Sequence, residues 1–185
     1  MNKNLKYGLF LLVLGAIIGT LLVLVNSITA PIIEEQRLEA IKETIKLVAP
    51  EVTEITDETK NIDNLPSGII NVYLSKDEKT AIYVARTTGY AGGTVETLIA
   101  FDVTSRAIID AKVTTADKQT AGIGDAILTH DFKLAGKSAS VYADLNVGGI
   151  SSPEYDIITG ATISSKAVLN GVKLASANFL EVYGG

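Results

Sequence analysis

The amino-acid sequence predicts an α+β fold carried on one membrane-spanning helix, and three observations lead to this prediction. The segment from Tyr7 to Val25 has no charged residue and is almost wholly apolar. Later segments rich in apolar and β-branched residues are separated by turn residues, which is typical of an antiparallel sheet. The last segment, from Ile163 to Tyr183, has apolar residues at helical spacing. Helices before and after a twisted antiparallel sheet indicate the α+β class.

The apolar run is long enough to cross a membrane. At about 1.5 Å per residue it extends roughly 28 Å, close to the thickness of the hydrocarbon core of a lipid bilayer. A cleaved signal peptide is the alternative, but its apolar region is normally shorter, and the residues before Pro31 make a poor cleavage site. We therefore expect residues 1–30 to form a cytoplasmic N-terminus and a transmembrane anchor in the cell membrane.

The charges on either side of the anchor predict its orientation. Lys3 and Lys6 precede the apolar run, whereas Glu34 and Glu35 are the first charged residues after it. Because positive residues are retained on the cytoplasmic side, the domain after residue 30 is predicted to be extracytoplasmic.

Composition excludes several functions. The chain has 21 acidic residues against 16 Lys and Arg, and no acidic residue occurs before residue 31, so the domain beyond the anchor would repel nucleic acid. The absence of Cys excludes thiolate ligands for an iron–sulfur cluster. The single His130 has no neighbouring set of metal ligands, and no nucleophile–base pair indicates a hydrolase. We predict neither a metal site nor a catalytic residue.

A stalk helix and a polar connector are predicted for residues 31–66. Pro31 is expected to mark the exit from the membrane, because proline fits poorly inside a helix. Apolar residues recur at helical spacing from Ile33 to Val48. This helix could bind another membrane subunit or pack on its own domain, and we favour the second interpretation. The polar residues from 51 to 68 are expected to contain one short strand at most.

The main domain, residues 67–185, should contain the sheet and the final helix. Hairpin turns are predicted at Lys76–Lys79 and Val103–Arg106. The final helix should bury one apolar stripe on the sheet, with Lys166 and Lys173 outside it. The predicted strands are Ile69–Leu74, Ala81–Thr87, Thr94–Val103 and Ala107–Thr114, and the predicted stripe is Val168, Val172, Ala175, Phe179 and Val182.

The residues from Asp156 to Ser165 are the strongest candidate site. They form a small-residue turn rich in hydroxyl groups that opens the final helix. Unpaired N–H groups and the helix dipole at such a position can receive a phosphate. Hydroxyl residues also begin many helices without any ligand, because Ser and Thr are good N-caps.

This segment resembles the flavinylation motif of the FMN-binding domain family, in which Asp, two variable residues, Ser or Thr, Gly and Ala precede an acceptor Thr. The resemblance implies FMN held covalently through its phosphate on Thr162, after Thr159, Gly160 and Ala161. It also implies that a flavin transferase recognises Asp156 during maturation.

Further residues are candidate contacts of the flavin. Ser164 and Ser165 could donate hydrogen bonds to the phosphate, and Lys166 could offset its charge. The loop Gln119–Asp125 resembles a second signature of the family, usually Glu-Thr-Pro-Gly-Leu-Gly, but Gln119 and Ala121 replace the acid and the proline. The matching residues are Thr120, Gly122 and Gly124. Family members also commonly have a Gly-Tyr-Gly-Gly element, which resembles the segment around Tyr90.

Over nearly its full length the chain resembles the G-subunit family of Rnf electron-transport complexes, which is related to a flavin-carrying component of the sodium-pumping NADH:quinone reductase. The resemblance implies a flavoprotein that relays electrons among other membrane subunits of a complex coupling ferredoxin and NAD chemistry to Na⁺ or H⁺ transport. A stand-alone membrane-anchored flavoprotein for extracellular electron transfer is one alternative. The other is a non-redox envelope scaffold in which Thr162 is only an N-cap.

Overall fold

A computed structural model describes residues 3–184 of the chain, which separate into two compact units between Ile41 and Lys42. Short 3₁₀ turns occur at Tyr90–Gly92 and Gly124–Leu128. The elements in chain order are helix α1 (Lys3–Ile45), strands β1 (Ile55–Asp57), β2 (Ile69–Ser75), β3 (Thr80–Thr88), β4 (Thr94–Asp102) and β5 (Ile108–Ala116), and helices α2 (Ala139–Ala143) and α3 (Thr162–Tyr183).

The first unit contains the predicted membrane anchor. Residues Phe10–Ser27 of α1 have a mean hydropathy of 2.4 and are not buried by any other part of the described chain. The hydroxyl groups of Thr20, Ser27 and Thr29 donate hydrogen bonds to backbone carbonyls three or four residues earlier. Because these polar groups are satisfied within the helix, they do not oppose its insertion into hydrocarbon.

The exit from the membrane at Pro31 stays a prediction, but the expectation that proline would interrupt the helix there is wrong. Helix α1 continues through this position to Ile45. Proline removes one N–H donor and costs about 3 kcal/mol inside a helix, and the hydrogen bonds of the neighbouring turns can retain the helical path. The predicted stalk is therefore the continuation of α1, although the side chains at positions 30–38 lie outside the described residues.

The second unit is built on an antiparallel sheet with strand order β1-β2-β3-β4-β5. The four predicted strands are confirmed as β2 to β5, with ends shifted by two residues at most, and the short connector strand is β1. Both predicted hairpin turns are present, and each contains one residue with positive φ, Glu78 (58°) and Arg106 (57°). Each strand thus pairs with its neighbour in the sequence, and the sheet is a simple meander.

Helix α3 packs on this sheet through a close approach and an aromatic cluster. A Cβ atom added to Gly171 would lie 3.1 Å from the Cβ of Ala85 on β3, so a larger residue would require the helix or the strand to shift by a few tenths of an ångström. Nearby, the Thr87 hydroxyl donates a hydrogen bond to the Ala167 carbonyl (2.8 Å). Further along, Phe179 stacks on Phe101 with ring centroids 4.5 Å apart. These contacts fix the position of α3, and with it the position of its N-terminus.

The prediction that Val182 belongs to the apolar stripe is wrong. Val168, Val172, Ala175 and Phe179 are fully buried, but Val182 is 39% exposed. The step from Ala175 to Phe179 is four residues, and the next residue on the same helical face is Tyr183, whose ring lies 5.6 Å from that of Phe179. Tyr183 therefore continues the stripe in place of Val182.

Candidate functional site

A cavity of about 350 Å³ lies at the N-terminus of α3. Three segments enclose it: the 3₁₀ turn after β3, the loop after β5, and the turn that leads into α3. The residues that line it are Tyr90, Thr120, Ile123, Gly124, Gly160, Ala161, Thr162, Ile163 and Ser164. The structure thus brings together most of the site residues that were predicted from separate parts of the sequence.

The N-terminus of α3 is open toward this cavity. Ala161 is the N-cap residue and gives no side-chain cap. The first backbone hydrogen bond of the helix runs from Ser165 N–H to the Ala161 carbonyl (2.9 Å). The N–H groups of Thr162, Ile163 and Ser164 precede it, and helix geometry leaves them without intrahelical partners. Thr162 is half-buried and is the first residue of the helix, so its interpretation as the N-cap is wrong.

The turn before the helix has a fixed shape. Gly160 has φ = +85°, in the left-handed region that favours glycine. The Ser165 hydroxyl is fully buried and accepts a hydrogen bond from Ile158 N–H (3.1 Å). Ser165 therefore does not line the cavity but holds the turn that presents Thr162. Thr159 is exposed and also lies outside the lining.

The loop after β5 folds around one carbonyl. The Thr120 carbonyl accepts hydrogen bonds from the N–H groups of Ile123 (3.1 Å), Gly124 (2.7 Å) and Asp125 (3.3 Å). Gly122 supplies a positive φ of 73° in this turn but does not line the cavity. A Cβ atom added to Gly124 would lie 3.3 Å from the Ser164 hydroxyl oxygen, so glycine allows the loop to approach α3 closely.

The Gln119 side chain connects all three segments. Its carbonyl oxygen accepts hydrogen bonds from the Ser164 hydroxyl (2.6 Å) and from Tyr90 N–H (3.2 Å). Its amide nitrogen donates to the Asp117 carbonyl (2.8 Å) and reaches the Tyr90 carbonyl at 3.5 Å. Ser164 is thus held toward the cavity by Gln119, the residue that replaces the acid of the family signature.

The chemical character of the cavity suits a planar aromatic ring with an anionic end. Tyr90, Ile123 and Ile163 line it, and each is about half exposed. No described residue that lines it is charged. Apolar and aromatic surfaces can pack on the faces of a flavin ring. The free N–H groups of α3 can meet a phosphate, because the helix dipole favours negative charge there.

Asp156 lies outside the cavity lining and anchors the segment before the acceptor. Its carboxylate accepts hydrogen bonds from the Ser151 hydroxyl and from Ile157 N–H (3.0 Å), and Lys133 Nζ lies 3.3 Å away. His130 Nε2 lies 3.6 Å from the same carboxylate. The Ser151 hydrogen bond is the main cause of a lowered pKa for Asp156, with Lys133 acting in the same direction and burial acting against both.

Three residues of the site were missed by sequence reasoning. Ile123 and Ile163 line the cavity, and Gln119 connects its segments. The two isoleucines carry a sequence signal, because each is an apolar residue directly beside a glycine or the proposed acceptor. Ile123 lies in the loop after β5, and Ile163 lies at the exposed start of α3. Gln119 carries no such signal, since its contacts depend on the tertiary arrangement. Lys166, the predicted counter-charge, is not among the lining residues.

Comparison with known proteins indicates that the region around this cavity is the functional one. The family model of the FMN-binding domain matches residues 89–177, which include all three segments around the cavity. The chain is 31% identical to the G subunit of the ion-translocating oxidoreductase complex of Erwinia tasmaniensis, over 91% of this chain and 86% of that protein. It is 27% identical to the G subunit of the Na⁺-translocating ferredoxin:NAD⁺ oxidoreductase complex of Acetobacterium woodii, over 92% of this chain and 88% of that protein.

Proposed function

This chain belongs to the G-subunit family of ion-translocating oxidoreductase complexes, and on that premise we propose that it relays electrons through FMN bound covalently to Thr162. The family and the FMN-binding domain make it an electron-transfer flavoprotein subunit of an oxidoreductase complex. Its N-terminal apolar helix makes it a membrane-anchored protein. We propose in addition that the FMN is bound covalently, that Thr162 is the acceptor, and that the protein has a defined topology in the membrane.

The observation that carries the proposal is the position of Thr162. Its half-buried side chain is the first of helix α3 and lines the cavity beside N–H groups that have no intrahelical partner. A phosphate esterified to its hydroxyl would lie within reach of those N–H groups, where the helix dipole stabilises negative charge. The residues before it match the acceptor motif, and the turn at Gly160, with its positive φ, leads directly to it.

Formation of the ester requires an activated flavin phosphate. The Thr162 oxygen would attack the phosphorus of a phosphoanhydride donor that carries FMN, and the hydroxyl proton would pass to a base of the flavin transferase. The anhydride bond would break and the second phosphate of the anhydride would leave with the rest of the donor, so that one phosphodiester would form without any change of oxidation state. Exposure of Thr159 and Gly160 leaves this segment accessible to the transferase.

Bound FMN supplies reversible one- and two-electron chemistry, and the protein supplies its surroundings. Tyr90, Ile123 and Ile163 would cover apolar parts of the ring and exclude water from them. The N-terminus of α3 would hold the phosphate. None of the described residues that line the cavity is charged. The reduction potential of the flavin would therefore be set mainly by hydrogen bonds to its ring and by the exposure of the ring to water.

The covalent bond can be tested by in-gel flavin fluorescence of the denatured full-length protein, produced in membranes together with a flavin transferase. The wild type should give a fluorescent band, and Thr162→Ala should give none. Thr120→Ala is the matched control, because it removes a hydroxyl from the same cavity but leaves the acceptor. A fluorescent Thr162→Ala band, or a dark wild-type band, would contradict the proposal.

We further propose that the FMN domain is extracytoplasmic and relays electrons within an Rnf-type complex that transports Na⁺ or H⁺. Lys3 and Lys6 on one side of the anchor and Glu34 on the other support this orientation. A protease added to intact cells or spheroplasts should digest the domain, whereas the same protease should leave it intact if it faces the cytoplasm. Purification in mild detergent should recover other membrane subunits, and an isolated monomer would favour the stand-alone flavoprotein instead.

A further inference from the structure

The amide of Gln119 is placed so that each of its atoms meets the complementary kind of group. Its oxygen faces two donors, the Ser164 hydroxyl and Tyr90 N–H, and its nitrogen faces two acceptors, the carbonyls of Asp117 and Tyr90. A glutamate has nearly the same shape, but its carboxylate only accepts hydrogen bonds. The position is therefore matched to an amide and not to a carboxylate.

Glycines make room for this amide on two of the neighbouring segments. A Cβ atom added to Gly89 would lie 2.9 Å from the Gln119 nitrogen, and one added to Gly93 would lie 2.8 Å from it. The Cβ atom at Gly93 would also lie 1.9 Å from the Asp117 carbonyl oxygen. On the loop after β5, a Cβ atom at Gly124 would lie 3.1 Å from the Gln119 Cβ. The Gln119 side chain thus occupies space that side chains at Gly89 and Gly93 would fill.

We propose that Gln119 is a positioning residue that fixes Tyr90 and Ser164 on the two sides of the flavin cavity, and that its neutrality keeps negative charge away from the flavin. This inference rests on the proposed function. The amide reaches Tyr90 through its main chain, so that it fixes the turn from which the aromatic ring projects, and it holds the Ser164 hydroxyl directly. A carboxylate at the same position would place a negative charge next to the cavity wall and disfavour the addition of electrons to the flavin.

Two substitutions separate the two parts of this proposal. Gln119→Leu keeps the approximate volume but removes both hydrogen-bonding groups, and Gln119→Glu keeps the shape but adds charge. Asn170→Asp is the control, because it makes the same amide-to-acid change at an exposed position of α3 outside the cavity. The full-length, flavin-loaded proteins are compared by visible circular dichroism, which reports how rigidly the flavin is held, and by redox titration.

Both Gln119 variants should have weaker flavin dichroism than the wild type, and Gln119→Glu should also have a lower reduction potential than Gln119→Leu. Asn170→Asp should match the wild type in both measurements. Loaded Gln119 variants with wild-type dichroism and potential would overturn the inference. A wild-type protein without covalent flavin would instead contradict the proposed function, so the two failures are distinguishable.

A double-mutant cycle provides the second, milder test. Ser164→Ala removes one hydroxyl that touches Gln119 and should itself reduce the dichroism. If Ser164 acts through Gln119, the same substitution made in Gln119→Leu should have little further effect, because the contact is already lost. Additive effects of the two substitutions would show that Ser164 acts on the flavin independently, and would overturn the role assigned to Gln119.

Discussion

At its C-terminal end helix α3 packs Phe179 against Phe101, with ring planes inclined by only 10°, whereas at its N-terminal end Thr162 and Ile163 border a cavity. The first region is closely packed, and its aromatic rings contact one another. The second has an uncapped helix start and an isoleucine that is 56% exposed. One helix therefore contributes apolar burial to the fold at one end and unsatisfied groups to the site at the other.

The difference shows that the location of a cofactor site can be fixed by packing elsewhere on the same helix. The N-terminus has N–H groups without intrahelical partners, and its location is fixed by the packing of the rest of the helix and by the hydrogen bonds of Ser164 and Ser165. Substitutions in the C-terminal half should therefore change stability strongly, whereas substitutions near Thr162 should change flavin loading more than stability.

The largest effect on stability is expected from Phe179→Ala. Phe179 is fully buried and also contacts the rings of Tyr83 and Tyr183, so its removal should lower the free energy of unfolding by about 3–5 kcal/mol. Chemical denaturation of the protein in detergent would measure this. A loss comparable to that of an exposed surface substitution would contradict the role given to this end of the helix.

A smaller loss is expected from Gly160→Ala in the turn before Thr162. The added Cβ meets only Ile123 at an ordinary distance of 3.7 Å, so the cost comes from the left-handed backbone and should be about 1–2 kcal/mol. Covalent flavin content should fall as well, because the turn orients the acceptor. Gly136→Ala is the matched control, since Gly136 also has positive φ (+78°) and open space around it but lies outside the cavity lining. Equal flavin loss in both variants would contradict the prediction.

A gain in stability is expected from Asn178→Leu. Asn178 lies in the packed half of α3, is 1% exposed, and neither polar atom of its side chain has a hydrogen-bond partner among the described residues. A buried polar group without a partner costs free energy, so the substitution should raise the free energy of unfolding by about 1 kcal/mol. Asn170→Leu, at an exposed position of the same helix, should change it little. Destabilisation by Asn178→Leu would indicate a polar partner for this amide, such as a buried water.

The smallest effect is expected from the charge of Asp156. Because its pKa is lowered in the folded state, chiefly by the Ser151 hydroxyl, its stabilising contribution is present above the ordinary aspartate pKa of about 3.9. The contribution is lost as the pH falls through the lowered value. Asp156→Asn should therefore make stability slightly less dependent on pH between about pH 5 and about pH 2. An unchanged pH profile in denaturation experiments would contradict this assignment.

The sheet was predictable because its strands follow one another in the sequence and pair as a meander. Residues such as Ile82 and Ile99 lie in unbroken buried runs of β3 and β4, which are rich in apolar and β-branched residues, and turn residues separate these strands from their neighbours. The path of α1 through Pro31 was not predictable in this way, since one proline lowers the stability of a helix without determining whether the flanking residues leave it. The exposure of Val182 was missed because a difference of one residue in the helical repeat changes which face is buried.

The site was predictable only in part. The acceptor motif is continuous in the sequence, so Thr162, Gly160 and Asp156 could be named from it. Ile123 and Ile163 line the cavity together because two segments about 40 residues apart in the sequence come together there. Local sequence patterns do not encode this contact.

By itself, the sequence determined the apolar anchor, the order of strands and helices, and the motif that precedes Thr162. These features depend on local composition, on periodicity and on turn residues. Only the tertiary structure decided that Gln119 would meet Ser164 and Tyr90, that Ser165 would turn inward, and that the start of α3 would remain uncapped. The physical reason is that hydrogen bonds between distant segments form only where packing of the sheet and helix has already placed their donors and acceptors within about 3 Å of each other.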